Sequence, residues 1–243
     1  MAHIHMVLQG KGGVGKSMIA AIIAQYIRLK GRRPVCVDTD PVNATFHGYR
    51  RLGVSHLTIM EGDDIAPRRF DQLVEVIAGA TDQMDVIIDN GASSFVPLSS
   101  YLITNDVPAL LHRMGHQLVV HTVITGGQAL VDTVHGFAQL VKQFPDEAVF
   151  VVWLNPFWGA IELDGKAFHQ MIAYTANKDR VKAIIDLPPL KEDTFGRDLS
   201  DMLQDRLTFE EAIAAPSRPI MVRQRLKIIQ NQIFGQLATV PVW

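Results

Sequence analysis

A chain of 243 residues that is 48% apolar and 20% charged has the makeup of one ordinary globular domain, and a chain of that size buries roughly 70–75% of its unfolded surface. One cysteine, Cys36, excludes a disulfide framework and a cysteine-built metal site; no apolar run nears the ~20 residues of a spanning helix, and the start, Met1 to His5, enters a strand directly without the look of a leader, so the sequence reads as cytoplasmic. The net charge of −2 is unevenly spread, because Ala212 to Trp243 holds no acidic residue but carries Arg218, Arg223, Arg225 and Lys227.

In chain order, Ile4, Met6, Val7 and Leu8 predict a buried first strand. It runs into Gly10-Lys11-Gly12-Gly13-Val14-Gly15-Lys16-Ser17, which satisfies G-x-x-x-x-G-K-[ST], and then into an apolar helix from Ser17 to Lys30 closed by Gly31. Strand, glycine loop and helix together make a phosphate cradle: the glycines let backbone N–H groups curl round the anion, which meets the positive end of the helix dipole. Lys16 would reach the β- and γ-phosphates, and the Ser17 hydroxyl would ligate Mg²⁺. The nucleotide-binding candidates here are therefore Gly10, Gly12, Gly13, Val14, Gly15, Lys16, Ser17 and Met18. A guanine reader would need N-K-x-D; Asn177-Lys178-Asp179-Arg180 lacks the final aspartate and reads as a surface turn.

A strand at Pro34 to Val37 ends in Asp38-Thr39-Asp40-Pro41, two carboxylates two residues apart and so on one side of the chain. Hard oxygen ligands suit Mg²⁺, and a second carboxylate can hold an attacking water. Residues 42–64 read as a switch or insertion region, followed by a helix from Phe70 to Ala78 and a strand from Met84 to Asp89. Asp89 closes the run Val86-Ile87-Ile88 as a Walker B aspartate should, acting on Mg²⁺ through its water shell.

Val96 to Met114 predicts a helix interrupted by Pro108, and Leu118 to Ile124 a strand. Leu130, Val134, Phe137, Val141 and Phe144 recur at helical spacing behind Gly126-Gly127. Ala148 to Leu154 is read as a strand, Ala167 to Thr175 as a helix and Val181 to Leu187 as a strand. Asn155 at one strand end carries an amide able to donate to and accept from a base edge. His3 and His5 read as edge-strand residues, His112 and His116 as no metal pair, and Trp153 and Trp158 as packing near the nucleotide end. Leu226, Ile229, Ile233 and Leu237 predict a final helix over about 219–238, whose four cations are candidates for DNA phosphate or anionic lipid. Continuous apolar strands alternating with helices predict an α/β doubly wound, mostly parallel sheet covered on both faces, as one domain over 1–243.

The loop Lys11-Gly12-Gly13-Val14-Gly15-Lys16-Ser17 resembles the deviant Walker A loop of the MinD/ParA ATPases, within the SIMIBI group of P-loop NTPases. That resemblance implies an ATP-dependent homodimer in which Lys11 reaches the partner's nucleotide. It implies that Asp40, second in D-x-D-P, positions the hydrolytic water while Asp38 supports Mg²⁺, and that Asn155 and Pro188 line the adenine. Two departures stand out: Asp89-Asn90-Gly91 replaces Asp-x-Pro, and no Gln-Gly follows Pro41. The whole chain also resembles the TraL proteins of plasmid conjugal-transfer regions, over His5 to Ser17, Asp38 to Phe46, Val86 to Ser99, Thr125 to Leu130, Val151 to Gly159, Ala173 to Lys178 and Arg223 to Ile228. This likeness implies a slow, partner-stimulated ATPase supporting conjugation through a protein of the transfer machinery. Two other classes share the loop: a small-molecule kinase or ligase that activates a carboxylate, and a weakly hydrolysing ATP-dependent binding module.

Overall fold

The computed structural model describes residues 1–243. Seven strands build one sheet: β1 (His3–Val7), β2 (Arg33–Asp38), β3 (Ser55–His56), β4 (Met84–Asp89), β5 (Gln117–Thr125), β6 (Val149–Asn155) and β7 (Val181–Asp186). Their order is β7-β6-β5-β1-β4-β2-β3, every pairing parallel. Side chains alternate between two faces along each strand, and here both faces are apolar. Val7, Ile87, Val119, Val123 and Val151 point into one cluster of 32 buried residues; Ile4, Met6, Val86, Ile88, Val120 and Val152 point into another of 31. Neither face is left to water, so helices must cover both.

α1 (Lys16–Leu29) lies on the first face, with α7 (Arg197–Gln204), α8 (Phe209–Ala214) and α9 (Ile220–Leu237). On the second lie α2 (Phe70–Ala78), α3 (Phe95–Thr104), α4 (Val107–Arg113), α5 (Leu130–Gln143) and the single turn α6 (Ile172–Thr175). No helix is long and apolar enough to cross a membrane. The register sets Val7, Asp38 and Asp89 in one row at the carboxyl edge, with Thr125 and Asn155 paired further along.

Several sequence expectations change in detail. The stretch 96–114 is two helices that part at Asn105-Asp106, where Asp106 takes a left-handed φ of 51°; Pro108 sits in the first turn of α4, where a missing N–H costs no bond. Between 167 and 175 only α6 is α-helical, because Lys166–Ala167 pairs with Glu162–Leu163 and a 3₁₀ turn follows. The region 42–64 contributes β3 to the sheet edge and, at Met60–Glu61, one arm of a ribbon completed by Asp64–Ile65. α7 and α8 had no counterpart in the sequence reading.

The reading of His3 and His5 as edge residues is overturned: β1 is the middle strand, and His5 is fully buried. Trp153 lies in the core, not at the nucleotide end, and its Nε1–H donates to His121 Nδ1 at 3.0 Å. That fixes the tautomers in series. His121 must carry its proton on Nε2, which donates to His5 Nδ1 at 3.0 Å, and His5 carries its own on Nε2, buried without an acceptor. Trp243 stacks on both imidazoles, with centroids at 5.1 and 6.1 Å. Beside them Asp85 is held well below the carboxylate range: burial works to raise it, but the Arg32 guanidinium at 2.6 and 2.7 Å and the His3 bonds prevail.

Burial lowers His5 to about 3 and His121 well below its usual value. The unfolded chain therefore takes up protons that the folded chain refuses, so the contribution is intact above about pH 6.5 and lost as pH falls below it. Between pH 7.5 and 5.0 His5 alone should remove about 2 kcal/mol of stability. Urea unfolding at the two pH values should show that loss in the wild type and a smaller one in His5→Asn, which keeps an acceptor for His121.

Candidate functional site

The glycine loop leaves β1 and turns into α1 through two left-handed residues, Gly13 at φ 73° and Gly15 at φ 102°, a backbone that L side chains rarely adopt. No side chain caps α1, so its first-turn N–H groups remain directed into the hollow of the loop. The Asn155 amide donates to the Val14 carbonyl at 2.9 Å, and the Trp158 indole donates to Gly13 O at 3.3 Å. Gln9, buried behind the loop, donates to Val123 O at 3.0 Å and Thr133 O at 3.1 Å. Lys16 is buried and curls over the loop to donate to Lys11 O at 3.0 Å. Burial lowers its pKa, with Asp89 and Asp40 opposing the shift.

Asp89 ends β4 at 1% exposure, and its Oδ1 has no hydrogen-bond partner. Burial pushes it up to about 7; Asp38 and Asp40 add to the rise, while the Ser17 hydroxyl and the Lys16 ammonium pull it back. An orphaned carboxylate oxygen beside a serine hydroxyl is a hard-oxygen pair suited to Mg²⁺. No group of three or more His, Cys, Asp or Glu side chains is arranged as a metal centre, so a cation here would complete its shell with phosphate oxygens and water. The donor set fits the ion.

Asp38, fully buried at the end of β2, holds the following loop: Oδ1 accepts from Asp40 N at 2.9 Å and Oδ2 from His47 N at 2.8 Å. Burial raises its pKa, and those two amides restrain the rise. Asp40 Oδ1 accepts from Val42 N at 2.9 Å and Asn43 N at 3.1 Å. Beyond β4, Asn90 is buried; its Oδ1 accepts from Ser94 Oγ at 2.7 Å and Thr39 Oγ1 at 3.2 Å, and its Nδ2 donates to Gly91 O at 3.0 Å. The sequence alone assigns no role to Thr39, Asn90 and Ser94. Their signal was the break in the Asp-x-Pro pattern itself.

Lys11 is 44% exposed and pairs with Asp132 of α5 at 2.7 Å, on the outer side of the loop. Asn155 spends one N–H on Val14 and its oxygen on Phe157 N at 3.2 Å, so its first task is to brace the loop, with one N–H left over. Leu187 N donates to Leu154 O at 2.9 Å, so Pro188 leaves the sheet beside Asn155. The four C-terminal cations do not form one free basic face. Arg218 pairs with Asp205 at 2.6 Å and Arg225 with Asp198 at 2.5 Å.

With this geometry in place, the class is defined: the chain belongs to the CobQ/CobB/MinD/ParA nucleotide-binding domain family, whose model matches residues 5–213. Among individual relatives it is 69% identical over 242 residues to "Protein TraL" of Escherichia coli, covering 100% of both chains, and 69% identical to a second Escherichia coli TraL over 98% of each. Its fold matches a chain of the MinC:MinD cell division protein complex of Aquifex aeolicus, with a TM-score of 0.55, 14% identity and coverage of 94% and 96%. MinD of the same organism alone gives 0.52 at 15% identity over 100% of both chains.

The raised pKa of Asp89 has a cost. The folded state binds its proton more tightly than the unfolded chain does, so nucleotide-free stability falls as pH rises from about 4 to 7. Asp89→Asn should therefore raise the melting temperature above pH 7, by a stabilisation of about 2 kcal/mol, measured by thermal unfolding without nucleotide. An unchanged or lower melting temperature would mean the carboxylate is better solvated than its burial indicates.

Proposed function

We propose that this chain is a Mg²⁺-dependent ATPase that works as a nucleotide-switched homodimer and serves plasmid conjugal transfer in the cytoplasm, through a protein partner of the transfer machinery. The observation that supports this most is the convergence of Lys16, Ser17 and Asp89 on one hollow beneath the helix N-terminus, with Asp38 and Asp40 on the adjacent strand end. Each residue has work in phosphoryl transfer, where positioning and charge stabilisation supply most of the rate. Lys16 neutralises charge on the transferred phosphate, and its buried setting strengthens that field. Ser17 and Asp89, supported by Asp38, would hold Mg²⁺, which supplies charge neutralisation across the phosphate oxygens. Asp40 orients the attacking water. Asn155 and Pro188 flank the base.

Lys11 supports the dimer. Its partner Asp132 lies on the same chain and both side chains are exposed, so water and salt compete for the pair and it exchanges readily. A second subunit facing the loop can then draw Lys11 to its own nucleotide. Arg223 and Lys227 remain the cations through which DNA or lipid would be touched, since Arg218 and Arg225 are neutralised internally.

Light scattering with ADP or ATP and Mg²⁺ tests the switch on wild type, Asp40→Ala and Lys11→Ala. Asp40→Ala should become a dimer with ATP alone and lose at least tenfold in turnover, while Lys11→Ala should stay monomeric or fail to hydrolyse. A mass that ignores nucleotide in every variant overturns the switch. Turnover that requires an added carboxylate acceptor would assign the chain to the ligase class instead.

A further inference from the structure

The loop after Asp89 departs from the Asp-x-Pro pattern, and the space around Gly91 shows what the departure accomplishes. A Cβ on Gly91 would stand 2.6 Å from Asp40 Oδ1, 2.7 Å from Cγ and 3.1 Å from Oδ2. No side chain can occupy that point unless the carboxylate moves. The carboxylate is tethered and not a free end, because the Val42 and Asn43 amides both donate to its Oδ1. Gly91 does not sit in the left-handed region, so the close approach, and not backbone conformation, is what requires glycine here.

Asn90 holds Gly91 in that place. Its Nδ2 donates to the Gly91 carbonyl, while its Oδ1 accepts the hydroxyl of Ser94, which opens α3, and shares with the Asp89 carbonyl the hydroxyl of Thr39, the residue before Asp40. Thr39, Asn90 and Ser94 are at most 1% exposed, and hydrogen bonds buried this deeply resist exchange with water. The end of β2, the turn after β4 and the start of α3 are thereby locked together, with the Asp40 carboxylate between them.

We infer that Gly91 and Asn90 are positioning residues for the Asp40 carboxylate, Gly91 by the space it leaves and Asn90 by fixing the turn that leaves it. The inference rests on the ATPase reading for its catalytic meaning. Gly91→Ala displaces the carboxylate while the loop at 10–17 stays intact, so it lowers kcat and leaves ATP binding alone. Asn90→Ala acts in the same direction through the loosened turn.

The test uses the full chain with ATP and Mg²⁺, with Gly235→Ala as a control, since a Cβ there meets nothing. Turnover, binding of a fluorescent ATP analogue, melting temperature and the amide NMR resonances of Val42 and Asn43 are read for each variant. Gly91→Ala should lose tenfold or more in kcat with less than a threefold change in Kd, and the two amides should shift as they lose their acceptor. Gly235→Ala should match wild type in turnover, binding and both amides, and melt slightly higher, since alanine replaces a glycine inside α9. Turnover within twofold of wild type, unmoved amides, or turnover and binding falling in step with the melting temperature would each overturn the inference. If wild type shows no turnover, the ATPase reading fails, and the Val42 and Asn43 resonances still decide whether Gly91 places Asp40.

Discussion

The candidate site is built round a carboxylate that burial strips of bulk solvent. Asp89 stands at the end of a central strand, faced by the Lys16 ammonium and the Ser17 hydroxyl, with Asp38 and Asp40 raising its proton affinity further. Burying like charges this close is unfavourable unless something neutralises them. Lys16 does so only in part, because its own burial works against its charge. A ligand that brought anionic phosphate to the lysine and a divalent cation to the carboxylates would relieve that cost.

Much of the remaining architecture keeps that group of charges in place. The parallel register sets the ends of β1, β2 and β4 level, so the glycine loop and both aspartate loops leave the sheet at one edge. The loop is then tethered from outside by Asn155 and Trp158 and from behind by Gln9. Even the glycines at 126 and 127 belong to this scheme. A Cβ on either would strike the backbone of residues 158–160, the turn that carries Trp158 to the loop. Two apolar layers hold the sheet between its helices.

The sheet and the phosphate loop were legible in the sequence because each has a signal read locally: unbroken apolar strands buried on two faces, and glycines at positions that a phosphate cradle demands. That Asp38 and Asp89 end neighbouring strands at one edge, with Asp40 just beyond, was legible for the related reason that strands of a parallel sheet present their carboxyl ends together. What escaped depends on neighbours distant in sequence. His5 looked like an edge residue because strand order is invisible locally; the pairing of β1 with β4 and β5, and the contact with His121, 116 residues away, show that it lies at the centre. Gly91 looked like a defect in a motif until Asp40 appeared against it. The C-terminal cations looked like a binding face because their partners, Asp198 and Asp205, lie in α7 and its cap, a stretch the sequence reading left unassigned.

The most direct test of the central claim is calorimetric titration with ATP, with and without Mg²⁺, on wild type, Lys16→Ala and Asp89→Asn. The account predicts that wild type binds ATP more tightly with Mg²⁺ than without, that Lys16→Ala loses binding in both conditions, and that Asp89→Asn binds without responding to Mg²⁺. Binding by Lys16→Ala at wild-type strength, or no binding by wild type, would contradict it.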